Sequence, residues 1–178
     1  MVFIDLEKAY DRVPRQEVWR SLRQKRVPEK YVRLVQEMYR DVQTSVRSGM
    51  GETDCFEVKV GLHQGSALSP FLFNIVMDVV SEEVRERAPW CMMYADDVVL
   101  CARTKEEVEQ TLETWRGVME DRGLKISRTK TEYLRCGPEQ NQGEEHLMLD
   151  EERIERSNWF KYLGSKVDED GGVERERD

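Results

Sequence analysis

The sequence predicts an α+β fold with the element order β-α-β-β-α-β, and three stretches carry that reading. Trp90 to Ala102 places two apolar, strand-like runs on either side of the bare carboxylate pair Asp96-Asp97, the pattern of a tight β-hairpin with its acids at the tip. Thr104 and Glu107 form a capping box ahead of an apolar stripe of Val108, Leu112, Trp115 and Met119, and Gly123 follows as a helix-ending residue. Val2-Phe3-Ile4-Asp5 is a short apolar run that ends on a carboxylate, the mark of a further strand.

Taken in order, residues 2–5 supply the first strand. Pro14 opens a helix to about Arg26, with Val18, Trp19 and Leu22 on one face. Pro28 opens another, whose expected inner face is Tyr31, Leu34, Val35, Met38 and Tyr39. Thr44–Arg47 and Cys55–Val60 alternate apolar and polar residues around Gly49 and Gly51, a hairpin signal. Ser69 is the expected N-cap, and Pro70 the first helical position, of a helix over 69–87 that turns Leu72, Ile75, Val76, Val79 and Val80 inward and ends before Pro89. Strands over 90–95 and 97–102, a helix over 105–122 and a strand over 131–136 complete a ferredoxin-like arrangement. Residues 11–60 form a helical and hairpin insertion after the first strand. The remainder divides into a flexible loop and connector (137–150), a small hairpin (151–167) and a disordered, acidic tail (168–178).

With 178 residues there is material for one domain with a sizeable core. A net charge of −8, from 28 basic and 36 acidic residues, excludes a generic basic nucleic-acid binder, so any basic grip is local or lies on other segments. Cys55, Cys91, Cys101 and Cys136 make no Cys-x-x-Cys pair and have no His at zinc spacing; they read as reduced, mostly buried small hydrophobes of an intracellular protein. There is no signal peptide and no run of 18 apolar residues, so no membrane association is expected.

The chemistry begins with Asp96-Asp97. Asp is depleted in strands, and adjacent like charges repel. Two carboxylates held at a hairpin tip suit a hard divalent cation that takes oxygen ligands, and equally they suit an ordinary Asp-rich turn. Asp5, at the end of a second strand, shifts the balance. Two metal ions clamping the attacking and leaving oxygens of a phosphoryl transfer sit roughly 3.5–4 Å apart and need carboxylates from different strands. Between these strands lies Gln64-Gly65, where glycine permits close ligand approach and the amide can bond a base or sugar edge; as structure alone it is a polar turn before a helix.

These stretches resemble, in order, the motifs of a known family. Phe3-Ile4-Asp5-Leu6-Glu7-Lys8-Ala9-Tyr10-Asp11 resembles the first palm motif of reverse transcriptases, Leu62-His63-Gln64-Gly65-Ser66-Ala67-Leu68-Ser69-Pro70 the second, and Tyr94-Ala95-Asp96-Asp97 the third. Gly123-Leu124-Lys125-Ile126-Ser127 with Lys130-Thr131-Glu132 resembles the fourth, and Trp159-Phe160-Lys161-Tyr162-Leu163-Gly164 the fifth. The wording is nearest to non-LTR, LINE-type retrotransposon polymerases.

The resemblance implies a polymerase palm over 1–136 and a primer-grip-like hairpin over 151–167. It implies RNA-directed DNA synthesis by two-metal nucleotidyl transfer with Mg²⁺ (Mn²⁺ as a substitute), on an RNA template with a DNA primer and deoxynucleoside triphosphates (dNTPs). Asp5 and Asp96 would ligate metal with Asp97 as an auxiliary carboxylate, and Lys130 would act near the leaving pyrophosphate. Tyr10 would gate against a 2′-hydroxyl. Gln64, Gly65 and Tyr94 would contact substrate, and Phe160, Tyr162, Leu163 and Gly164 the primer end. The bland counterparts stay open: Tyr10 as a packing residue, Lys130 as a surface lysine, residues 159–164 as cover for the sheet.

The chain starts at the first of these motifs and stops just after the last. The expectation is therefore a piece of a longer polyprotein whose fingers and thumb segments lie elsewhere, inactive on its own. A catalytically inert remnant serving as an interaction module is the alternative. A nucleotide cyclase of the same two-metal layout leaves Gln64-Gly65 and Trp159–Gly164 unexplained. A nuclear location is implied by the resemblance alone.

Overall fold

Residues 1–136 and 146–175 are described by a computed structural model that mixes helices and strands. The first half contains β1 (Val2–Ile4), α1 (Ala9–Arg12), α2 (Arg15–Gln24), α3 (Glu29–Met38), β2 (Gln43–Thr44), β3 (Arg47–Ser48), β4 (Gly51–Glu52), β5 (Phe56–Glu57) and α4 (Leu68–Val80). The second half contains β6 (Cys91–Tyr94), β7 (Asp97–Leu100), α5 (Lys105–Asp121), β8 (Glu132–Leu134), β9 (His146–Leu149), β10 (Glu152–Ser157), β11 (Trp159–Tyr162), β12 (Ser165–Asp168) and β13 (Val173–Arg175).

The main sheet has six strands in the order β6-β7-β1-β8-β10-β9. β1 pairs antiparallel with β7 and with β8, in register Ile4↔Val98 and Val2↔Tyr133, and β10 joins β8 in parallel. Alternation along β1 gives the sheet two different faces. Val2, Ile4, Val98 and Leu100 join Leu72, Phe73, Val76, Met77 and Val80 of α4 and Val108, Leu112, Trp115 and Met119 of α5 in one buried cluster. A fully buried ring such as Phe73 contributes roughly 1.5–3 kcal/mol over leaving it in water. On the opposite face Phe3 stacks on Phe160 of a second sheet, ordered β11-β12-β13.

α5 forms as its sequence predicts. Thr104 Oγ1 accepts from the Glu107 N–H at 3.1 Å, the Glu107 carboxylate accepts from the Arg103 N–H at 3.1 Å, and Gly123 takes φ +79° after the last turn. The 44–60 region folds back on itself as expected, in two short exposed ladders, β2 with β5 and β3 with β4.

Five expectations about the elements and their bounds are corrected. α3 turns Val32, fully buried, toward α2 and leaves Tyr31, Leu34 and Met38 about half exposed, because α2 covers only a narrow strip of it; Tyr39, just past its end, is buried. α4 begins at Leu68 with Ala67 at its N-cap, since the Ser69 hydroxyl donates to the His63 carbonyl at 2.6 Å instead of capping an amide. It also stops at Val80, where the Ser81 hydroxyl takes the Met77 carbonyl, well before Arg87. The connector contains β9, while residues 137–145 of the expected flexible loop lie outside the described residues. The tail is ordered through residue 175. Asp168 Oδ1 accepts the Gly172 N–H at 2.7 Å, and β13 pairs with β12; residues 176–178 lie outside the described residues.

Of the free cysteines, Cys91 is buried, with desolvation pushing its thiol up to about 11, and Cys101 is half-buried. Cys55 and Cys136 are exposed, against the expectation of burial. Among the described residues no helix is long and apolar enough to cross a membrane.

Candidate active site

Asp5 leaves the end of β1 between two fixed backbone points. The Ser127 N–H donates to the Asp5 carbonyl and the Glu7 N–H to the Lys125 carbonyl, both at 2.8 Å, with Leu6 bridged to Ile126 between them. The residues just before β8 thus hold the strand end in place. One step beyond the pair Ile4↔Val98, the β1–β7 register brings Asp5 alongside Asp97, on the face that carries Phe3 and Val99. β6 and β7 pair through Tyr94↔Asp97, which leaves Ala95-Asp96 as a two-residue turn. Ala95 takes φ +54°, a left-handed conformation that a non-glycine residue adopts at a cost.

The three carboxylates feel one another. Burial raises the Asp5 pKa, Lys130 opposes the rise and Asp96 adds to it. Burial raises Asp97 as well, with Asp96 and then Asp5 adding their repulsion. Asp5 Oδ1 is buried and accepts no hydrogen bond. Lys130 Nζ stands 3.8 Å from it, an ion-pair distance beyond hydrogen-bond reach, on a largely exposed side chain. Among the described residues no three His, Cys, Asp or Glu side chains converge as a ready metal cage.

Tyr10, on α1, stacks on Phe73 of α4 with ring centroids 4.6 Å apart, and its phenol pKa is raised by burial and then by Asp96. It stands between two clefts. One, of about 440 Å³, is shared with Gln64, Gly65 and Pro70; the other, of about 410 Å³, with Asn74, Tyr94 and Ala95. Gly65 takes φ +80° with open space where a Cβ would be, so its backbone is accessible from the cleft. Gln64 Nε2 donates to Asp11 Oδ1 at 2.6 Å.

The hairpin of β11 and β12 turns at Leu163 and Gly164, both at positive φ, and covers the face of β1 that carries Phe3. Phe160 is buried against Phe3 and anchors the hairpin, so it is not free to touch a ligand. Tyr162 leans on Phe3 at 6.4 Å, and its phenol pKa is raised by burial and then by Asp97, which brings it toward the acidic strand ends. Leu163, about half exposed, sits at the tip.

The structure therefore brings Asp5, Asp96, Asp97, Lys130, Tyr10 and Tyr162 into one neighbourhood, with Gln64, Gly65 and Tyr94 on its two flanks. Sequence reasoning passed over the residues beneath them. Phe3 was readable: an apolar run on both parities of a short strand signals cover on both faces. Arg15 donates to the Gly61 and Tyr39 carbonyls at 3.2 and 3.1 Å and lies over the Tyr39 ring. Tyr39 in turn stacks on His63 at 4.2 Å, under the Gln64 loop; no local pattern signals that assembly.

Residues 1–167 match the family described as reverse transcriptase (RNA-dependent DNA polymerase). The retrovirus-related Pol polyprotein from type-1 retrotransposable element R2 of Nasonia vitripennis is 28% identical over 146 residues, which are 78% of this chain and 14% of that protein. The polyprotein from type-2 element R2DM of Drosophila melanogaster is 27% identical over 186 residues, covering 96% of this chain and 18% of its own length. Among solved structures, apo telomerase from Candida tropicalis truncated from its C-terminal domain superposes with a TM-score of 0.69 at 16% identity, over 98% of this chain and 35% of that one. The chain thus spans a minor part of each relative.

Proposed function

The chain belongs to the reverse transcriptase (RNA-dependent DNA polymerase) family, and from that membership we propose that it is the palm of a polymerase that extends a DNA primer on an RNA template. The sheet order supports the palm assignment. Strands β8-β1-β7-β6, with α4 between β1 and β6 and α5 between β7 and β8, follow the ferredoxin-like order, with residues 11–60 as its insertion; of residues 151–167, β10 extends the main sheet and the β11–β12 hairpin is the primer-grip-like element.

One observation carries the chemistry: Asp5, Asp96 and Asp97 stand at adjoining strand ends, burial and the neighbouring carboxylates raise the pKa of Asp5 and of Asp97, and Asp5 Oδ1 is buried with nothing donating to it. An orphaned carboxylate oxygen in a repelling acidic group fits a divalent cation. Asp5 and Asp96 would hold Mg²⁺ or Mn²⁺, with Asp97 auxiliary, and the ion would acidify the primer 3′-hydroxyl and offset triphosphate charge. The remaining roles fall to the chain's own groups. Lys130 supplies positive charge beside Asp5 for the leaving pyrophosphate. The Tyr10 ring, fixed on Phe73, underlies the nucleotide sugar and excludes a 2′-hydroxyl. Gln64 and the open Gly65 backbone line the nucleotide cleft, and Tyr94 lines the cleft on the far side of Tyr10. Tyr162, Leu163 and Gly164 present the primer end, with Phe160 as their anchor.

The test grafts residues 1–167 into the Drosophila R2DM polyprotein in place of the matched stretch and measures primer extension on RNA. Extension is expected, and Asp5→Asn or Asp96→Asn should reduce it by at least about a hundredfold, the scale of removing a group that acts in the transition state. Extension indifferent to both substitutions would sink the assignment. A folded but silent graft would favour the inert interaction module.

A further inference from the structure

Two backbone hydrogen bonds stitch the end of α1 to the loop that carries Gln64. The Leu62 N–H donates to the Tyr10 carbonyl at 2.8 Å, and the Gly61 N–H to the Val13 carbonyl at 3.0 Å. Gly61 permits the close approach: it takes φ +79°, and a Cβ there would lie 2.5 Å from the Asp11 backbone oxygen. Across this seam Gln64 Nε2 donates to Asp11 Oδ1 at 2.6 Å.

A carboxylate accepts hydrogen bonds and cannot donate one, so Asp11 decides which way the Gln64 amide is turned. The NH₂ group faces Asp11, and Oε1 is left at the other end of the amide. Gln64 lines the cleft it shares with Tyr10, the residue assigned to the sugar. We infer that Asp11 is a positioning residue for nucleotide selection: it turns Gln64 so that the side-chain carbonyl oxygen meets a hydrogen-bond donor on the nucleotide sugar. The donor that a deoxynucleotide sugar offers is its 3′-hydroxyl. Selection then depends on orientation, because the same glutamine turned over would present an NH₂ group and meet that hydroxyl as an acceptor.

This inference rests on the nucleotide-site reading, and the experiment separates the two. The ¹⁵N-labelled chain is titrated with dTTP and with dideoxy-TTP in Mg²⁺ and followed by NMR, which reaches millimolar affinities. The readout is the ratio of the two affinities, since both ligands carry the same triphosphate and any change in charge at residue 11 cancels. The parent should favour dTTP by about fivefold, the worth of one hydrogen bond, and Gln64→Ala should erase the preference. Asp11→Asn should lower it in part, because the Asn amide can accept from Gln64 or donate to it and so no longer fixes which way Gln64 is turned. Asp11→Ala should lower it, and Asp11→Lys, which offers only donors and so calls Oε1 toward itself, should abolish it. Asp11 and Gln64 are exposed, and melting temperatures within a few degrees of the parent would show that the variants fold. A ratio unchanged in Asp11→Ala and Asp11→Lys while Gln64→Ala erases it would overturn the positioning role and leave the site standing. A parent that binds neither ligand would defeat the nucleotide-site reading itself.

Discussion

At the scale of single residues the acidic strand ends work against the fold. The Asp97 carboxyl titrates above its ordinary value because it is partly desolvated and faces Asp96 and Asp5. Between the unfolded value of 3.8 and the raised one, the native chain holds more protons than the unfolded chain, so stability falls as pH rises through that window and stays reduced at neutral pH. Without divalent metal, Asp97→Asn should therefore melt higher than the parent at pH 7, and the difference should shrink as pH is lowered toward 4. Reading the variant against the parent at each pH removes the titration of the other acids. A lower melting temperature for Asp97→Asn at pH 7 would mean that the carboxylate is held by stabilising contacts and not repelled. The same cost explains why these positions stand out in sequence. Two adjacent Asp residues at a strand turn make little sense for stability, and so Asp5, Asp96 and Asp97 are legible where Asp11 is not.

At the scale of elements, α3 provides the sharpest contrast. Its residues read as a broad apolar stripe, but burial falls on Val32 within the helix and on Tyr39 past its end, with Leu34 and Tyr31 turned out. Val32→Ala should cost roughly 2 kcal/mol, a lost methyl pair plus the space left behind, whereas Leu34→Ala should stay within about 0.5 kcal/mol. Urea midpoints measure both, and a large cost at Leu34 would show that another surface covers the helix in solution. Periodicity was sufficient for α5, whose cap, stripe and closing glycine all lie within or directly beside its own 17 residues. It was insufficient for α3, because a stripe reports what a helix can bury and not what lies against it. β9 and β13 went unread for a related reason. His146–Leu149 is short, and residues 173–175 are short with two of the three charged, so each is a strand only through its partner, β10 and β12 respectively. Ser69 misled for want of one contact, since its hydroxyl is claimed by the His63 carbonyl.

At the scale of the whole molecule, the sheet joins carboxylates that are 91 residues apart in sequence, Asp5 and Asp96, and holds them in repulsion that a cation would relieve. A ligand that binds only the folded state stabilises it by mass action, so titrating Mg²⁺ or Mn²⁺ into the chain should raise its melting temperature. At ten times the dissociation constant the gain is about 1.4 kcal/mol, or roughly 3–6 °C for a domain of this length. Asp96→Asn removes the charge and keeps the shape, and it should abolish most of that rise. Lys130→Met should enlarge it or leave it unchanged, because Lys130 Nζ is the cation now paired with Asp5. The two variants separate a site from a diffuse charge effect. In a chain of net charge −8, any divalent ion screens repulsion, but screening alone would raise the parent and Asp96→Asn by the same amount. Equal rises would therefore remove the metal site while leaving the fold and the family untouched. A rise confined to chains that keep Asp5 and Asp96 would establish that this sheet by itself assembles the cation-binding half of the proposed reaction.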